Sequence, residues 1–185
     1  MKTKPSFRRP PWWSIVAGLV AAGLPLWTHT CFRIPQSQSA PKTLYVLTYR
    51  PPTRDGWVAA CLPEKTSTWG RERGYLQAGP CPPGASEILK RVAALPGDLV
   101  DVTPFGLWVN GRFLRCPRRA HDAIGRPVPA VPPGTYRVAP GTVWLYSDYS
   151  LSSWDSRYYG PLPLTGLRST ARPLWTTPED HNRTN

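Results

Sequence analysis

Apolar and polar residues alternate with a period of two along much of the chain, the repeat of a strand with one buried face. "TLYVLTY" (43–49) and "GWVAACLP" (56–63) are the first two such runs. "EILKRVAAL" (87–95) follows, and the turn "PGD" leads into "LVDVT" (99–103). "GLWVNGRFL" (106–114) carries the clearest local signal, because Asn110-Gly111 between alternating residues specifies a two-residue hairpin. "TYRVAPGTVWLYSD" (135–148) predicts two further strands across Pro140-Gly141. Residues 63–86 are rich in Gly, Pro and Ser and predict an excursion or flap, and 118–134 predict a loop. The pattern has no internal repeat and points to an all-β, antiparallel domain.

One segment breaks the alternation. From Trp12 to Trp27, "WWSIVAGLVAAGLPLW" has no charge, and the uncharged stretch continues to Phe32. With its flanks it reaches the length of about 20 residues that spans a bilayer. Tryptophans stand at both ends, and Lys2, Lys4, Arg8 and Arg9 precede it without an acid. The positive-inside rule then leaves the N-terminus in the cytoplasm and exports everything after Cys31. A cleavable signal peptide is the competing reading, since "VAAG" offers small residues to a peptidase. The expected organisation is a basic tail (1–11), a single transmembrane anchor (12–32), an exported domain (33–171) and a mobile polar tail (172–185).

Composition refines this picture. The 24 prolines among 185 residues favour short strands and many turns, while 9 tryptophans and 8 tyrosines supply a core. A net charge of +12 suits an anionic surface such as a membrane. The basic residues are scattered, and no nucleic-acid motif frames them, so no specific nucleic acid is expected. Four cysteines fit an oxidising compartment. Cys61 and Cys81 are the candidate bridge, closing a loop of about 20 residues worth about 3 kcal/mol, although sequence leaves the connectivity open. No CxxC pair and only three histidines stand against a metal site, and no cofactor is implied.

The chemistry turns on Lys90. Of the histidines, His29 and His181 lie near the ends and His121 in a loop, so a His-based triad lacks support. A lysine among apolar neighbours is disfavoured in its charged form and can act as a general base towards a serine. "ILKRVAAL" supplies such a setting if Lys90 points inward and Arg91 outward. Ser39, in "SQSAPKTLY", is a candidate nucleophile, because Pro41 stiffens the turn that follows it. A solvated linker is the alternative reading of that stretch.

These pieces together resemble the type I signal peptidase superfamily, in particular conjugative-transfer signal peptidases of the TraF type. The apolar anchor, "SQSAPKTLY", "CLP…GYLQAGPCPPG", "LKRVAALPGDLV", "GLWVNG", "GRPVP" and "DSRYYGPLP" come in family order over about residues 10–167. The resemblance implies a signal-peptidase-like β domain, Ser39 as nucleophile and Lys90 as base. It implies a required, site-ordering role for Asp155, with an ion pair to Arg157. Ser153 matches a serine near the base, and Ser37 is a candidate second contributor to an oxyanion hole formed by the Ser39 N–H. The chain also departs from the pattern. Thr43 stands where the TraF type usually has glycine, and the superfamily's Gly-Asp-Asn stretch is Ser147-Asp148-Tyr149 here.

The sequence therefore predicts an inner-membrane serine endopeptidase with a periplasmic catalytic domain. It would mature a propilin for plasmid transfer, with cyclisation of the product left open and mating-pair-formation proteins as further partners. A general type I signal peptidase and a non-enzymatic basic subunit of the transfer apparatus are the alternatives.

Overall fold

The computed structural model describes residues 11–14, 32–35 and 39–175. In chain order its elements are β1 (Phe32–Arg33), β2 (Tyr45–Thr48), β3 (Trp57–Ala60), α1 (Glu64–Glu72), β4 (Ala78–Cys81) and β5 (Ile88–Ala94). Then follow β6 (Leu99–Val102), β7 (Gly106–Val109), β8 (Arg112–Arg115), β9 (Gly134–Arg137) and β10 (Thr142–Tyr146). The last are α2 (Ser156–Tyr159), β11 (Leu162–Pro163), a 3₁₀ turn (Leu164–Gly166) and β12 (Leu167–Pro173). The segment expected to cross a membrane lies, apart from residues 12–14 and 32, outside the described residues. Among the described residues no helix is long and apolar enough to cross a membrane.

Among the described residues two antiparallel sheets make the domain. The larger has the order β1-β2-β12-β3-β5-β10-β11 and the smaller β8-β7-β6-β9. The smaller sheet turns Val100, Val102, Leu107, Val109 and Leu114 onto Trp144 and Tyr146 of β10. Its β7–β8 hairpin turns at Asn110-Gly111, where φ is +48° and +84°. Positive φ at both central positions defines the primed turn that this dipeptide favours, so the local signal in the sequence is realised.

β5 is buried along its whole length. Ile88 and Val92 join one core cluster, Leu89 a second with Ala40, Tyr45 and Ala59, and Ala93 a third. Both faces are therefore covered, and the alternation expected at Lys90-Arg91 does not bring Arg91 to water. Its side chain is buried, with Arg91 Nη1 donating to Asp148 Oδ2 at 3.2 Å and its guanidinium 5.7 Å from the centre of the Tyr146 ring. The turn after β5 is held by the buried Asp98 carboxylate, which accepts from Leu95 N, Arg54 Nε and Asn110 Nδ2, each at 2.8 Å.

Two elements differ from the expectation. Within the Gly/Pro/Ser-rich excursion, residues 64–72 form α1, although Pro63 gives it no side-chain cap. Packing replaces propensity here: Trp69 of α1 stacks on Trp154 with centroids 5.4 Å apart, and Tyr75 meets both rings. A Cβ on Gly70 would lie 2.6 Å from the Trp154 ring, so this close approach requires glycine. The second is β12, which enters between β2 and β3 in the larger sheet. Its pairing continues past residue 171, through Arg172↔Val46 and Pro173↔Tyr45 to a Leu174 N bond with Leu44 O. The Cys61–Cys81 disulfide is formed, and Cys116 is a buried free thiol.

Candidate active site

A cleft of about 710 Å³ opens between the larger sheet, the excursion around Tyr75–Pro80 and the 118–134 loop, and both Ser39 and Lys90 line it. The lining includes the strand region of Ala59, Ile88 and Leu89 and, from the 118–134 loop, a wall with Asp122 and Val128. Asp122 secures that wall, since its carboxylate accepts from Tyr75 Oη at 2.8 Å, Arg126 Nε at 2.8 Å and Arg126 N at 2.9 Å.

Lys90 is 3% exposed. Its Nζ donates to Ser153 Oγ at 2.5 Å, and Ser153 is itself buried. Burial pushes the Lys90 ammonium down to about 8. The Asp155 carboxylate opposes that shift and the Arg157 guanidinium adds to it. An amine with this pKa is neutral in about one molecule in ten at pH 7 and in about half at pH 8, and the neutral form can take a proton from a hydroxyl.

Behind Lys90 stands a buried ion pair. Asp155, fully buried, receives Arg157 Nε at 2.7 Å and Arg157 Nη2 at 2.6 Å in a two-point fork. The remaining Arg157 donors go to the carbonyls of Cys116 (2.6 Å), Pro117 (2.7 Å) and Ser153 (3.0 Å). Every guanidinium edge is thus occupied, which is how a charged arginine is tolerated in the interior. Although burial works against its charge, the Asp155 carboxylate raises the Arg157 pKa overall. Burial drives the Cys116 thiol up to about 12, so it is not a nucleophile.

Ser39 reaches this group through its backbone. Ser147 Oγ donates to Ser39 O at 2.7 Å, and Ser147 N donates to Asp155 Oδ2 at 3.1 Å. Of the residues singled out in the sequence, Ser39, Lys90, Ser153, Asp155 and Arg157 are therefore joined either by direct bonds or across one cleft. Ser37 lies outside the described residues. Ser147 appeared in the sequence only as a departure from Gly-Asp-Asn, and its contact with Ser39 spans 108 positions.

Residues 19–175 match the family described as signal peptidase, peptidase S26. The chain belongs to that family. As an S26 peptidase it falls among the serine peptidases. It is 33% identical over 166 residues to the plasmid transfer protein TraF of Escherichia coli, covering 88% of this chain and 93% of that protein. It is 36% identical over 128 residues to the conjugal transfer protein TraF of Agrobacterium tumefaciens (strain 15955), covering 68% of this chain and 70% of that protein. Among solved structures, a signal peptidase I from Enterococcus faecalis V583 aligns at 18% identity with a TM-score of 0.40, covering 66% of this chain and 98% of that one.

Proposed function

We propose that this S26 peptidase is a membrane-anchored endopeptidase that matures a propilin for plasmid conjugation, with Ser39 as nucleophile and Lys90 as general base. The observation that carries the reading is Lys90 itself: buried, depressed to a pKa of about 8, and lining the same cleft as Ser39. Ser39 Oγ attacks the scissile carbonyl while its proton passes to Lys90 Nζ. The tetrahedral oxyanion is held by the Ser39 backbone N–H, with Ser37 as a second donor. Lys90 then returns the proton to the leaving amine as the carbon–nitrogen bond breaks, leaving an acyl-enzyme. Water completes hydrolysis. If an amine of the same substrate attacks instead, the product is cyclic and the serine is released unchanged.

The conjugative role is supported by relatives that are plasmid and conjugal transfer proteins. The uncharged segment 12–32 serves as an inner-membrane anchor with the catalytic domain in the periplasm, which sets Ser39 a short distance from the bilayer where an exported precursor emerges.

The test is co-expression with the candidate propilin, followed by intact mass spectrometry for wild type, Ser39→Ala and Lys90→Ala. Shortened propilin with wild type alone supports the reading, and a further loss of one water identifies cyclisation. Equal processing by all three overturns it and favours a non-enzymatic subunit. Rescue of a host signal-peptidase defect would point instead to a general signal peptidase.

A further inference from the structure

Ser147 directly follows β10 and is 1% exposed, with its N–H bonded to Asp155 and its Oγ to the Ser39 carbonyl. Its Oγ donates to Ser39 O at 2.7 Å and accepts from Tyr149 N at 3.2 Å, so the hydroxyl is used in both directions. Its N–H donates to Asp155 Oδ2 at 3.1 Å. The neighbouring Asp148 is fixed in turn by Arg91 Nη1 at 3.2 Å, one residue from Lys90. Ser147 therefore stands where the Asp155–Arg157 pair, the base strand and the Ser39 peptide meet.

We propose that Ser147 is a positioning residue for the nucleophile, acting through the Ser39 carbonyl. The inference rests on the reading of Ser39 as nucleophile. A carbonyl held at 2.7 Å fixes the plane of the peptide between Ser39 and Ala40, and with it ψ of Ser39. Ala40 is fully buried and precedes Pro41, which confines its own backbone, so the chain cannot absorb a rotation on that side. The direction of the Ser39 Cα–Cβ bond, and so the approach of Oγ to substrate and base, is set from residue 147. The superfamily's Gly-Asp-Asn pattern would place glycine here, and glycine has no hydroxyl to make this bond. In this chain the departure at Ser147-Asp148-Tyr149 is what supplies the clamp. It also gives Asp155 a second task besides pairing Arg157, because its carboxylate orients the backbone of the residue that holds Ser39.

The experiment uses the detergent-solubilised full chain and purified candidate propilin, comparing wild type, Ser147→Ala, Ser147→Thr and Ser39→Ala. Losing one buried hydrogen bond that orders a reacting group should lower kcat about tenfold in Ser147→Ala. KM and the pH midpoint of the rate should stay as in wild type, since neither substrate contacts nor Lys90 is altered. Ser147→Thr keeps the hydroxyl and should recover most of the rate. Wild-type kcat in Ser147→Ala, with Ser39→Ala inactive, would overturn the clamp while leaving the nucleophile in place. A loss that threonine does not repair, or one that moves the pH midpoint, would equally overturn it by marking general damage. Activity in Ser39→Ala would remove the nucleophile reading and the clamp with it.

Discussion

Lys90 donates from Nζ to Ser153 Oγ at 2.5 Å, with both side chains buried. Ser153 is thus the group that aims the lysine, and Arg157 Nη2 fixes the Ser153 backbone through its carbonyl at 3.0 Å. A neutral Lys90 needs a lone pair directed at the incoming proton, and a bond on one side of Nζ restricts where that lone pair points.

Replacing Ser153 by alanine should therefore cost both rate and stability. Ser153→Ala is expected to lower kcat about 10- to 100-fold, up to the lower end of a general acid–base contribution, because Lys90 itself remains. Its unfolding free energy should fall by about 1–3 kcal/mol, because the buried Lys90 Nζ loses its partner. Steady-state kinetics beside thermal unfolding of the same samples check both.

Lys90 should also be a stability liability. Its folded pKa of about 8 lies below the ordinary value of 10.5, so in the window between the two the unfolded chain binds more protons. Stability contributed by this group therefore rises with pH across about 8 to 10.5 and is flat on either side. Below pH 8 the buried charge costs about 3 kcal/mol relative to the neutral amine, at 1.36 kcal/mol per pKa unit. Lys90→Met should be inactive yet unfold at a higher temperature than wild type at pH 7. The gap should narrow as pH approaches 10.5, as calorimetry over a pH series would show.

The Asp155–Arg157 pair should respond in the opposite sense. Asp155→Asn leaves a guanidinium that is 1% exposed without its counter-charge, a loss of about 3–5 kcal/mol. It also weakens the acceptor for Ser147 N. Denaturant unfolding should show a large drop in midpoint, and processing should fall more than a simple loss of folded protein explains.

How far the sequence foretells this site depends on where each signal resides. Asn110-Gly111 is legible because the turn needs only two adjacent residues at positive φ. Lys90 is legible because a lysine among the apolar residues of one strand stands out, whereas the "DSRYYGP" box is legible through its resemblance to the signal peptidase superfamily. Arg91 is not, since its burial depends on Asp55 and Asp148 in loops and on Tyr146 of β10. β12 is hidden because its inward positions are filled by Ser169 and Ala171, too small to mark an alternating run. α1 is hidden because Ser, Thr and Gly in "EKTSTWGRE" are poor helix formers, and Trp154, remote in sequence, holds it in place. Ser147 shows only as a departure from a pattern, and its task exists once the fold brings Ser39 to it.

The central claim is that Lys90 serves Ser39 as a neutral base, and the pH dependence of kcat/KM for propilin cleavage tests it most directly. This quantity reports the free enzyme's essential groups. The account predicts a rate that rises with pH through a single midpoint near 8 and then levels, with the midpoint absent in an inactive Lys90→Arg variant. A rate already level from pH 6 to 9, or the same midpoint in an active Lys90→Arg variant, would contradict it.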